Sequence, residues 1–173
     1  DPNQPEESKK QINEGLAIEK SQGTGIRNNV GLDSARRGTG SNSSNAKGKG
    51  GNIVIKTEKL ELVDVAGIDG NLYGEGTGSN INISATDISF NGLRSYIASS
   101  IQGADFGRIQ EKASGKAGDI NIDTSTLTLN GFAGIFARVS DDGATGQAGN
   151  IKIKASDRVT LNDGSFILSQ VGK

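Results

Sequence analysis

The side chains that could do chemistry in this chain are carboxylates, lysines, arginines and tyrosines, because its 173 residues include no His and no Cys. That composition excludes Ser-His-Asp and Cys-His catalytic arrangements and the ordinary zinc, haem and iron–sulfur sites. Asp119 and Asp123 are the best-placed carboxylate pair. On a strand they would share one face about 13 Å apart, at ~3.3 Å per residue. This exceeds the roughly 6.5–9.5 Å separation of an inverting glycosidase pair.

Asp69 and Glu75 lie within the Gly-rich stretch 67–78 and could share a calcium ion with backbone carbonyls. Corner glycines with positive φ explain the same stretch without a ligand. No phosphate-binding loop sequence is present, and 19 basic residues against 20 acidic ones leave no basic surplus for nucleic acid. We therefore predict a non-enzymatic protein with no catalytic residue, no metal, no cofactor and no membrane insertion.

The elements that must position these side chains come from an internal repeat. Four segments share an Asn- or Asp-Ile-x-Ile core, at residues 51–55, 79–83, 118–122 and 149–153. A second apolar pair and then a third apolar run follow each segment, with alternation of period two that indicates strands. Asn-Gly and Asp-Gly pairs between the runs would ordinarily suggest hairpins. Equivalent apolar positions in every repeat favour one solenoid coil per repeat instead.

Stacking the coils in parallel turns each repeat position into a column with a spacing of about 4.8 Å. The predicted core columns consist of isoleucines at two positions of each repeat: Ile53, Ile81, Ile120, Ile151, and Ile55, Ile83, Ile122, Ile153. The predicted structural ladder consists of the polar residues that precede them: Asn52, Asn80, Asp119, Asn150. Side-chain amides stacked in this way can bond along the axis.

The chain divides into a polar N-terminal arm at residues 1–46, which could also form one or two degenerate coils, and repeats at 47–173. The repeats run about 47–75, 76–114, 115–144 and 145–173. Each end of such a stack presents unpaired strand edges. The candidate assembly edge comprises residues near both ends: Ser165, Ile167, Ser169, Val171, Leu16, Ile18. An insertion at 99–114 is either packed on the solenoid or a candidate binding loop, with Ile101, Asp105, Phe106 and Arg108 as its contacts.

The repeat unit reads Gly-x-Ala-Gly-Asn-Ile-x-Ile, then Leu-x-Leu, then Gly-x-x-Ile-x-Ala or Ser, and is clearest at residues 145–169 and 115–137. It resembles the repeats of filamentous haemagglutinin-like large exoproteins of the two-partner secretion pathway, with the cyanobacterial members most similar. The resemblance covers about 50–173 and implies a right-handed parallel β-helix, export by a Gram-negative-type bacterium and an adhesive or fibrous role. The Asn-Pro-Asn-Gly signature of the family's secretion domain is not in this sequence.

These observations predict an all-β, right-handed parallel β-helix of about four to five coils with a polar N-terminal arm. We expect a secreted, extracellular or cell-surface structural protein whose partner is another copy, stacked head to tail through coil ends and arm, or flanking repeats of a longer parent chain. An adhesin module binding a surface glycan or protein is the alternative. A carbohydrate-active enzyme is the least favoured possibility.

Overall fold

The computed structural model describes residues 16–18, 25–30, 46–102, 113–140 and 143–172. Most of the predicted arm lies outside these ranges, as do Asp105, Phe106 and Arg108 of the predicted binding loop. For Leu16 and Ile18 the backbone alone is described. All regular secondary structure in the described residues is β-strand.

In these ranges, fourteen strands form three parallel sheets. The long sheet contains, in spatial order, β1 (Leu16–Ile18), β4 (Asn52–Val63), β7 (Asn80–Asn91), β10 (Ile120–Leu129) and β13 (Ile151–Leu161). The second sheet contains β2 (Gly25–Arg27), β5 (Gly67–Asp69), β8 (Tyr96–Ala98), β11 (Gly134–Val139) and β14 (Phe166–Val171). The short sheet contains β3 (Lys47–Lys49), β6 (Glu75–Thr77), β9 (Ser114–Lys116) and β12 (Thr145–Gln147).

The chain visits the long, second and short sheets in the same order in every repeat. Each strand pairs in parallel with its counterparts in neighbouring repeats, which is the arrangement of a β-solenoid. The predicted all-β solenoid is therefore confirmed, and Asn91-Gly92 and Asn130-Gly131 turn a coil corner instead of closing a hairpin. Strands β1, β2 and β3 form a first coil ahead of β4, and β3 falls within the first predicted repeat.

The core lies between the sheets and is built from columns of like residues. Ile53, Ile81, Ile120 and Ile151 follow one another in register across the long sheet. A smaller cluster near the short sheet contains Leu72, Ile101 and Val139. Ile101 is fully buried there, bridged to both of those residues, so it packs in the core and is not available as a binding-loop contact.

The strand pattern differs from the prediction in two places. The first two apolar runs of each repeat lie on one continuous strand, as in β4, and not on two strands separated by a corner. The short sheet was not predicted at all, because its strands are Gly-centred triplets with no apolar alternation. Gly76, Gly115 and Gly146 have φ near +138 to +139, and a Cβ at each would collide with the carbonyl oxygen of the preceding coil's glycine. Only glycine permits this close stacking.

Candidate functional site

The predicted ladder residues lie at the entrance to the long sheet, where consecutive coils are joined by polar bonds. Asn80 Nδ2 donates to Asn52 Oδ1 at 3.3 Å, and the Asp119 backbone N–H donates to Asn80 Oδ1 at 2.9 Å. The Asn150 backbone N–H then donates to Asp119 Oδ1 at 2.8 Å. The four residues therefore form a mixed ladder of side-chain amides, a carboxylate and backbone N–H groups.

A second ladder runs along the exit of the long sheet and was not predicted. Asn162 Nδ2 donates to Asn130 Oδ1 at 2.8 Å, Asn130 Nδ2 to Asn91 Oδ1 at 3.3 Å, and Asn91 Nδ2 to Glu61 Oε1 at 2.6 Å. The bond from Asn91, together with Lys59 at 3.2 Å from Glu61 Oε2, lowers the pKa of Glu61. The signal for this ladder was the recurring Asn before a corner glycine, which indicates a turn equally well.

The last coil forms an open end of the solenoid. Among the described residues, β12, β13 and β14 are the outermost strands of their three sheets at this end, so each presents one row of backbone groups without a strand partner. Backbone groups in this state are a template for further strand pairing. The three strands together define what we call the C-terminal end face.

At this end face no further coil packs on the apolar side chains of the core columns. Val159 and Leu161 are each 41% exposed, although Leu127 and Leu129, their register partners one coil earlier, are 0% exposed. Ile151 and Ile153 are half-buried, whereas Ile120 and Ile122 one coil earlier are buried. The end face thus presents to water the same side chains that elsewhere form the core.

The predicted assembly-edge residues divide between the two ends of the stack. Ile167 packs half-buried against the core, Val171 is exposed, and Ser169 Oγ donates to the Gly149 carbonyl at 2.8 Å. Ser165 Oγ accepts a bond from the Ala133 N–H at 3.2 Å. Leu16 and Ile18 are on β1, the outermost strand of the long sheet at the opposite end. The structure therefore does not bring these two groups together within one chain.

The two carboxylates considered for a shared calcium ion, Asp69 and Glu75, each have partners within the fold. Asp69, buried on the outer side of the second sheet, accepts bonds from Arg27 Nε at 3.0 Å, Asn29 Nδ2 at 2.8 Å and the Tyr96 hydroxyl at 3.2 Å. Glu75 is exposed and pairs with Lys47 at 2.6 Å. The two carboxylates do not converge on a shared site. Across the described part of the chain, no cluster of acidic groups could hold a metal ion.

No described segment forms a helix long and apolar enough to span a membrane. Comparison with known proteins found no matching family model, no matching curated protein and no matching solved structure. The resemblance of the repeat to filamentous haemagglutinin-like exoproteins therefore remains a prediction from the sequence.

Proposed function

We propose that this chain is a non-enzymatic structural protein of the extracellular space, a β-solenoid unit that extends by addition of another coil to its C-terminal end face. The incoming coil is the N-terminal coil of a second copy, so that units stack head to tail, with residues 1–46 contributing to the joint. Flanking repeats of a longer parent chain would fill the same face in the same way. We further propose that the winding is right-handed and that the protein is exported, as the resemblance of its repeat implies.

One observation carries the proposal: the terminal coil repeats the core sequence of the inner coils, yet Val159 and Leu161 are 41% exposed. A coil stacked on them would bury these side chains in register, as each inner coil does for its neighbour. It would also pair the free edges of β12, β13 and β14, so that apolar burial and backbone hydrogen bonding act together.

The polar ladders favour the same geometry. Asn150 and Asn162 are the last members of the two ladders, and each donates back towards the preceding coil. Their side-chain carbonyl oxygens are then available as acceptors for a coil added at the end face. A contact between two different surfaces of identical copies does not close on itself, and it generates a filament.

Sedimentation velocity of the full chain over a wide concentration range tests the proposal, with matched variants in one strand. Val159→Lys and Leu161→Lys combined should abolish concentration-dependent growth, because a stacked coil would bury both charges. Thr160→Lys, at the outward-facing position between these two residues, should assemble as the unsubstituted chain does. Circular dichroism should confirm that all three chains keep their strand content, since half-exposed lysines can extend into water. If the unsubstituted chain sediments as one species at every concentration, head-to-tail assembly is refuted.

A further inference from the structure

The corner between the long and second sheets carries large apolar side chains that face water. Val65, Leu93 and Phe132 are 51%, 58% and 60% exposed. They belong to three successive coils: the Val65 N–H donates to the Leu93 carbonyl at 2.8 Å, and Phe132 N–H donates to the carbonyl of Asp163 in the next coil. These three residues form a row along the axis, which we call the apolar ridge.

The backbone at this ridge is strained. Two ridge residues, Val65 and Phe132, have φ of +62° and +59°, and Arg94, which follows Leu93, has φ of +58°. This left-handed region is unfavourable for bulky and β-branched residues. Glycine occupies neighbouring positions of the same corner, at Gly92 and Gly131. A strained backbone that exposes apolar side chains contributes little to folding, and such outliers concentrate at functional sites.

An aromatic groove runs beside the ridge on the outer side of the second sheet. The rings of Tyr96, Phe136 and Phe166 follow one another along the axis, with centroid separations of 6.0 and 6.1 Å. The groove has a volume of about 720 Å³ and is bordered by the apolar ridge. Gly134 leaves space for the ring of Phe166, which a Cβ would strike. Four of the seven Phe and Tyr residues of the sequence thus meet at this one surface.

The charged side chains that line the groove or stack on its rings are positive, while two carboxylates lie at the neighbouring corner: Asp64, which accepts a bond from the Leu93 N–H at 3.4 Å, and the exposed Asp163. Arg94 lines it, and the Arg138 guanidinium lies 5.3 Å from the centroid of the Phe136 ring. None of the nine lining residues is acidic, and within the described ranges neither arginine forms an ion pair. Two copies placed groove to groove would bring like charges together, which disfavours self-association at this surface.

We propose that the apolar ridge and the aromatic groove bind an acidic polypeptide segment that carries apolar side chains. Aromatic residues and arginine, without lysine or acidic residues, are the composition of protein-binding hot spots. Arg94 and Arg138 would pair with carboxylates of the segment, while the ridge and the rings cover its apolar side chains. The exposed aliphatic groups of Val65 and Leu93 favour a polypeptide over a glycan, whose surface is mostly hydroxyl groups. The site faces outward from the second sheet and is complete within one copy, although its Phe166 lies on β14 at the C-terminal end face.

Selection from a displayed random-peptide library on the full immobilised chain tests this proposal. Enriched peptides should combine acidic with apolar residues, and should bind at least about tenfold less tightly to Leu93→Ser combined with Phe132→Ser, and to Arg94→Gln. Val54→Ser removes an equally exposed apolar side chain from the long sheet and should leave binding unchanged. Enriched peptides without acidic residues, or with equal affinity for the ridge variant, would overturn the proposal. An acidic oligosaccharide that binds with the same dependence on both variants, when no peptide does, would assign the groove to glycans instead.

A second readout distinguishes a binding surface from a packing element. Val65→Gly and Phe132→Gly relieve the left-handed strain, so each should leave Tm unchanged or raise it while weakening the selected peptides. A clear fall in Tm for both variants would mean that the ridge stabilises the fold, and would contradict its assignment as a binding surface.

Discussion

Truncating a leucine of one core column should lower the free energy of unfolding more inside the solenoid than at its end. Leu129 and Leu161 occupy the same position in consecutive coils, but Leu129 is 0% and Leu161 is 41% exposed. Leu129→Ala leaves a closed cavity and should lower the free energy of unfolding by about 2–5 kcal/mol. Leu161→Ala removes three carbons that are roughly three-fifths buried, and at ~0.8 kcal/mol for each it should cost about 1.5 kcal/mol with no enclosed cavity.

Urea denaturation followed by circular dichroism would measure both losses at the lowest protein concentration that the method allows. Hydrogen exchange resolved by coil would show whether the end coil opens separately, as stacked repeats often do. If copies stack at the end face, the cost of Leu161→Ala should rise with concentration towards that of Leu129→Ala. Equal losses for the two variants in dilute solution would refute the argument that the terminal column is open to water.

Three further changes test how consecutive coils are held together. Gly115→Ala should cost about 3 kcal/mol or more, because it combines a left-handed backbone with a clash against the Gly76 carbonyl. Thermal unfolding measures this loss, and a loss as small as that of Lys116→Ala, at the exposed neighbouring position, would contradict the stacking. The pKa of Glu61 is lowered in the folded state, so its ionised form stabilises the fold above its ordinary pKa, and this stability is lost as pH falls below about 4.3. Glu61→Gln should therefore reduce the fall of the urea midpoint at acid pH. An unchanged fall would show that Glu61 does not contribute to the pH dependence of stability. Asp69→Ala should cost about 3 kcal/mol by chemical denaturation, since it removes the buried carboxylate that pairs with the part-buried Arg27. A loss within the range of surface substitutions would mean that solvent replaces the carboxylate.

The core could be predicted from the sequence because each coil repeats the same residue types at the same positions. Once Ile53 and Ile81 are aligned, parallel stacking fixes which side chains meet. The short sheet could not be predicted in this way. Its strands, such as the triplet centred on Gly115, have no apolar alternation, and they form because glycine stacks on glycine between coils.

The end face was anticipated from the unpaired edges that any short solenoid has, and the structure adds which core side chains lie open there. The aromatic groove was not predicted, because Tyr96, Phe136 and Phe166 do not occupy one repeat position. Tyr96 and Phe166 are both in register with Gly134, while Phe136 lies two residues further along β11. Their approach depends on the register between coils and on the glycine that leaves room for the rings, neither of which is evident from a single repeat.

The most direct test of the central proposal is cryo-electron microscopy of the full chain at high concentration. Within the described ranges the long sheet has five strands along the axis, so head-to-tail stacking of these coils predicts filaments whose subunits rise by about 24 Å, at ~4.8 Å per strand. The strand spacing should continue across the joint without interruption. Dispersed particles about one subunit long, or assemblies in which the solenoid axes lie side by side, would contradict end-to-end coil addition.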